Sequence, residues 1–133
     1  MNKKKIKTLE QTPAIKKNPP DRYPVFCFKH LQQHSYHKCS DSSFFIVFLE
    51  RLKKLGQLGW QGIHGSHRHS FGTEKIPIQN LKVNSFPPII TEDVTELTVF
   101  RATGNNLPFL GIRLDDIFQI IFIESAFGDI YPH

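Results

Sequence analysis

Apolar residues recur at helical spacing in one part of the chain only. Over residues 41–55, Phe45, Phe48, Leu49, Leu52 and Leu55 fall on one face, which predicts an amphipathic helix with that face buried. Ser40 or Asp41 can cap its start and Gly56 marks its stop. Glu50 and Lys54, four apart, sit on the wet side. A second short helical turn over residues 57–63 adds Leu58 and Trp60 to the same core. Ahead of the helix, residues 23–31 (YPVFCFKHL) are short and aromatic behind Pro24, which suits a strand at a sheet edge.

The C-terminal third has a different rhythm. Residues 97–103, 109–114 and 117–124 are three apolar, β-branched or aromatic runs. Gly104-Asn105-Asn106 separates the first two and Asp115-Asp116 the second pair, both with hairpin chemistry. An antiparallel three-stranded meander is expected. Nearly every residue from 117 to 123 is apolar, as in a central strand covered on both faces. Between helix and meander, residues 62–75 (GIHGSHRHSFGTEK) read as a loop, and residues 76–93 are broken by Pro77, Pro87 and Pro88. The fold class predicted is α+β: a small antiparallel sheet with an N-terminal edge strand, and one main and one short helix on one face.

Length and composition bound the rest. The chain has 133 residues, enough for one domain, and 39% hydrophobic residues with 12 Phe supply a core. No apolar run nears the roughly 20 residues of a membrane span, so no membrane association is expected. The start is charged without an apolar stretch behind it, so no secretory signal is expected. Two Cys point to a reducing cytoplasm rather than a disulfide scaffold.

Charge divides the chain. The net charge is +5, and residues 1–22 carry all of the excess, with seven basic side chains against Glu10 and Asp21. With Pro13, Pro19 and Pro20 and no apolar period, this stretch reads as a flexible basic arm, and residues 23–133 as a single domain. Such an arm can sit on phosphates of RNA or of a ribosome. It can equally be a solubilising tail or a segment ordered by a partner.

One cluster has the composition of a catalytic site. His64, His67 and His69 fall within six residues, with Arg68 between the last two and Glu74 and Lys75 close behind. Histidine titrates nearest neutrality and suits proton transfer. Arginine can hold a phosphate through two hydrogen bonds and stabilise its developing charge. Cleavage of RNA without a metal needs a base for the 2′-hydroxyl, an acid for the leaving oxygen and cations for the phosphorane. His67, Arg68, His69 and Glu74 are the catalytic candidates, and Lys75 adds a cation beside them. Arg101 and Arg113, on neighbouring strands of the meander, would add cationic contacts across the same face. Zinc is a competing reading, through His67, His69, His37 and Cys39, but the spacing matches no common finger. A solvated Gly/Ser loop is the structural alternative.

The stretch VFRATGNNLPFLGIRLDDIFQIIFIESAFGDIYPH resembles the end of small RelE/ParE-superfamily toxins. It has an arginine-bearing strand, a hairpin, an apolar strand and a terminal tyrosine–histidine segment. The resemblance implies a messenger-RNA endonuclease, ribosome-associated and held inactive by an antitoxin, in a toxin–antitoxin or phage-defence system. It also implies that Arg101, Arg113, Tyr131 and His133 lie near the RNA phosphate. No cofactor is expected. The alternative function is a non-catalytic nucleic-acid- or protein-binding module that works through the basic arm.

Overall fold

The computed structural model describes residues 22–67, 70–103 and 107–132. Five strands form one open sheet in the order β1-β5-β4-β3-β2. They are β1 (Val25–Cys27), β2 (Glu74–Pro77), β3 (Glu96–Arg101), β4 (Pro108–Leu114) and β5 (Ile117–Ile123). One helix, α1 (Ser42–His64), lies between β1 and β2. The class is α+β, with β3, β4 and β5 the expected antiparallel meander.

Two features of the sheet differ from expectation. The N-terminal strand pairs parallel with β5, Val25 opposite Ile117, so the sheet is mixed. At the other edge β2 joins β3 antiparallel, Glu74 opposite Val99 and Ile76 opposite Leu97. Four residues ending in proline carry too little period to announce a strand, and Pro77 is tolerated because β2 is an edge. β5 lies between β1 and β4, and from Ile120 to Ile123 it is buried on both faces, which explains the apolar run there. The turn into β5 puts Asp115 at φ +59°, the left-handed conformation that hairpin turns require.

Both faces of the sheet are covered. On one, α1 lays Phe44, Phe48, Leu55, Trp60 and Ile63 against Phe100, Phe109, Phe118, Ile120 and Ile123. Phe100 and Phe109 stack with centroids 5.0 Å apart, and Phe118 meets Phe100 edge-on at 4.9 Å. The opposite face carries Ile76, Leu97, Val99, Leu110, Ile121 and Phe122. It is covered by Leu81 and Phe86 of the proline-broken segment and by Ile130 near the C-terminus. That irregular segment therefore serves as the second layer.

Within α1, Asp41 caps the start by accepting the Ser43 N–H at 3.0 Å. Gly56 does not stop the helix; the break comes at Gly59, with φ +82°. A Cβ there would lie 3.2 Å from the Arg22 carbonyl oxygen. The break lets the Trp60 N–H reach that carbonyl at 2.9 Å and its indole Nε1 reach the Asp116 carbonyl at 3.2 Å. The short second helical turn is the piece after this kink. Leu49, expected in the core, is 67% exposed, because the buried stripe runs instead through Phe44, Phe48 and Leu55.

Arg22 belongs to the folded body rather than to the arm. Its Nε donates to Asp116 at 2.8 Å and its Nη2 to Asp115, which fastens the chain entering β1 to the β4–β5 turn. The rest of the arm, residues 1–21, lies outside the described residues.

Candidate functional site at the β2–β3 end of the sheet

Strand alternation decides which side chains meet. Leu97, Val99 and Arg101 share one face of β3, and their neighbours Glu74 and Ile76 share it on β2. Arg101 is the last residue of β3, where the second apolar layer ends. It is only 5% exposed. Its Nη2 donates to Glu74 Oε2 at 2.6 Å. The same carboxylate oxygen accepts the Tyr131 hydroxyl at 2.7 Å. The Arg101 guanidinium lies 5.5 Å from the centre of the Tyr131 ring. Arg101 Nη1 is buried and has no hydrogen-bond partner among the described residues.

Glu124 holds this arrangement from below. It is fully buried at the end of β5, and its Oε2 accepts the backbone N–H groups of Ile130 and Tyr131, both at 2.7 Å. The strand thereby pins the C-terminal segment that carries the Tyr131 ring to Glu74. Burial raises the Tyr131 phenol above its ordinary pKa, and the hydrogen bond and negative charge of Glu74 raise it further, with Arg101 opposing. The site thus combines a buried cation with one unmatched donor, a carboxylate, and a phenol that keeps its proton.

The structure distributes the sequence candidates unevenly. Glu74, Arg101 and Tyr131 come together from three distant stretches of chain. His67 is exposed, and its carbonyl accepts the N–H groups of Ser70 and Gly72 at 2.9 Å each. Gly72 is a tight fit in that loop, since a Cβ would stand 2.3 Å from the Ser66 carbonyl oxygen. The loop therefore closes on itself two residues before Glu74. Arg68 and His69 lie outside the described residues, as does His133. Lys75 is exposed and, by alternation, on the face opposite Glu74.

Arg113 does not share a face with Arg101, contrary to expectation. Arg101 pairs with Pro108 at the start of β4, and Arg113 is five residues further on, about 17 Å along the strand. It lies on the α1 side, with its guanidinium 3.9 Å from the centre of the Trp60 ring. Its Nε donates to the Asp115 carbonyl at 2.6 Å, and its Nη1 lies 3.2 Å from His64 Nε2. Arg113 and His64 thus belong to the opposite end of the sheet. Among the described residues, no group of three or more His, Cys, Asp or Glu side chains is placed to hold a metal ion.

Glu124 escaped the sequence reading as a site residue. Its one signal is a carboxylate directly after a run of apolar residues, where burial obliges it to find donors. Those donors are backbone amides, which carry no sequence signature. In comparisons with known proteins, the chain matches no family model, no curated protein and no solved structure.

Proposed function

We propose that the protein is a toxin-type RNA endonuclease whose own side chains supply the acid, the base and the cation, without a metal. The observation that carries this reading is the Arg101 guanidinium: buried, held on one side by Glu74, and with Nη1 unmatched among the described residues. A buried donor left unmatched costs about 1–3 kcal/mol, and more when charged. A phosphate oxygen is the acceptor that best completes a guanidinium.

In this reading Arg101 holds the scissile phosphate and stabilises the charge that builds on the phosphorane. Glu74 takes the proton of the 2′-hydroxyl, whose oxygen attacks phosphorus. Tyr131, still protonated at neutral pH, gives its phenolic proton to the departing 5′-oxygen. The products are a 2′,3′-cyclic phosphate and a 5′-hydroxyl end. His67, on the loop that leads into Glu74, is a second proton carrier for the same reaction. The six lysines of residues 1–21 favour a polyanionic substrate, such as messenger RNA on a ribosome. An enzyme of this kind requires a restraining antitoxin protein in the cell that makes it.

The test compares wild type with Glu74→Gln and Tyr131→Phe, following growth, total RNA and the chemistry of the new ends. Each variant is expected to cleave about a hundredfold more slowly, the usual scale for a general acid or base. Tyr131→Phe should melt within a few degrees of wild type, since it loses about 1 kcal/mol of hydrogen bonding. Glu74→Gln keeps an acceptor but leaves the buried Arg101 charge without its counter-charge, so it should cost about 3 kcal/mol, and its cleavage is read well below its melting temperature. Intact RNA at matched expression of the wild type would refute the reading. Salt-dependent RNA binding without cleavage, abolished by deleting residues 1–20, would replace it with the binding module.

A further inference from the structure

After Ser42 and Ser43, six consecutive residues of α1, 44–49, are apolar. Phe44 and Phe48 enter the core, yet Ile46 is 58% exposed, Val47 43% and Leu49 67%. A surface helix ordinarily keeps one apolar stripe and makes the remainder polar. Single exposed apolar residues are unremarkable, but a contiguous group on one helix marks a docking surface. Ile46, Leu49, Glu50 and Lys53 follow at i, i+3, i+4 and i+7, so they form one outward ridge.

A cleft runs beside this ridge. Glu50 and Lys53 belong to both, and Val47, Arg51, Lys54 and Phe71 line it with them. Arg51 is fixed there, with Nη1 donating to the Ser70 carbonyl at 3.0 Å and the guanidinium 4.7 Å from the centre of the Phe71 ring. Lys54 Nζ lies 6.0 Å from the same ring. Three cations thus face one carboxylate along the edge of an apolar strip.

Charge decides what covers it. The chain's own residues 1–22 have the same sign as the cleft and would be repelled. A second copy meeting this face across a two-fold axis would set the Lys53 and Lys54 rows of both copies on one another's patch. We infer that this face docks an amphipathic helix of a partner protein, with an apolar stripe flanked by carboxylates. The stripe covers Ile46, Val47 and Leu49, and the carboxylates meet Arg51, Lys53 and Lys54, a helix-in-groove arrangement. The exposed cations set partner choice and encounter rate more than affinity. This inference does not rest on the catalytic reading, because Glu74, Arg101 and Tyr131 lie on the other face of the sheet.

The test uses the full chain and two synthetic helical peptides that share a Leu stripe at i, i+3, i+4 and i+7. One carries Glu at the flanking positions and the other Lys, and binding is read by fluorescence anisotropy. The Glu peptide is expected to bind in the micromolar range, and the Lys peptide at least roughly tenfold more weakly. Pairing Ile46→Asn with Leu49→Asn should weaken the Glu peptide at least about tenfold. Pairing Lys53→Glu with Lys54→Glu should reverse the preference between peptides. All four side chains are exposed, so melting should stay near wild type; if the Asn pair fails to fold, the lysine pair decides alone. Equal binding of both peptides, or no binding, overturns the inference. So does a wild-type dimer that the Asn pair dissociates, which would make a second copy the occupant.

Discussion

Replacing Glu124 with Ala removes the joint between β5 and the segment that carries Tyr131. The Glu124 carboxylate accepts two backbone N–H groups, each at 2.7 Å, inside a fully buried position. Hydrogen bonds to a charged acceptor contribute about 1.5–3 kcal/mol each, and the truncation leaves two donors unmatched, one of them buried. The C-terminal segment can swing out to rewet those amides, but Ile130 then leaves the apolar layer it completes. Either way the expected loss is about 3–4 kcal/mol, a large share of the roughly 5–15 kcal/mol that holds a domain together. For a chain of this length that corresponds to roughly 10–20 °C in Tm. Glu124→Gln keeps an acceptor oxygen at the same reach and should cost about half as much or less. Circular dichroism gives the melting temperatures. Amide hydrogen exchange separates local from global loss, since Ile130 and Tyr131 should exchange early in Glu124→Ala while β4 and β5 stay protected. A Glu124→Ala protein within about 1 kcal/mol of wild type, or a Gln variant as damaged as Ala, would show that these bonds are not what pins the segment.

Two further outcomes follow from local geometry. Gly111→Ala would place a Cβ 1.8 Å from the Gln119 carbonyl oxygen on the neighbouring strand, so β4 and β5 must part. The expected cost is above about 3 kcal/mol, and a wild-type melting curve would refute it. The raised Tyr131 phenol makes part of the stability depend on alkaline pH. Its contribution is complete below the unfolded value of about 10 and is lost as pH rises through the higher folded value. Ultraviolet titration of wild type against Tyr131→Phe should show one late phenol, and an ordinary titration would count against its burial.

The meander was legible because three apolar runs and two hairpin linkers agree on it. The edges were not. β2 is four residues long and ends in Pro77, and nothing in residues 25–27 tells parallel from antiparallel pairing. Gly56 looked like a helix stop because an interior glycine costs about 1 kcal/mol relative to alanine, an amount that tertiary packing easily overrides. Gly59 is the true break because its backbone turns to φ +82°, where a Cβ would be strained and would crowd the Arg22 carbonyl at 3.2 Å, a fact that lives in three dimensions. The site was legible in its parts and hidden in its assembly. Glu74 read as a companion of the histidines, Arg101 as a companion of Arg113, and Tyr131 entered only through family resemblance. Their meeting depends on β2 joining the sheet edge, the one strand the pattern does not announce.

The two arginines of the meander share a residue type and differ in everything around them. Arg113 sits over the Trp60 ring, reaches Asp115 and His64, and is half-buried. Together those contacts tie the end of α1 to the β4–β5 turn, where Arg22 already binds Asp115 and Asp116. Its guanidinium and stem serve packing as much as charge. Arg101 has no such arrangement. It is drawn out of water at the end of β3, Nη2 is matched by Glu74, and Nη1 has no hydrogen-bond partner among the described residues. Replacing a buried ion pair with apolar side chains is often neutral or stabilising, so holding this one adds little to the fold by itself. Charge at the Arg113 end therefore consolidates the structure. At the Arg101 end a charged group is held out of water with one donor unmatched among the described residues, and that is the physical basis of the proposed site.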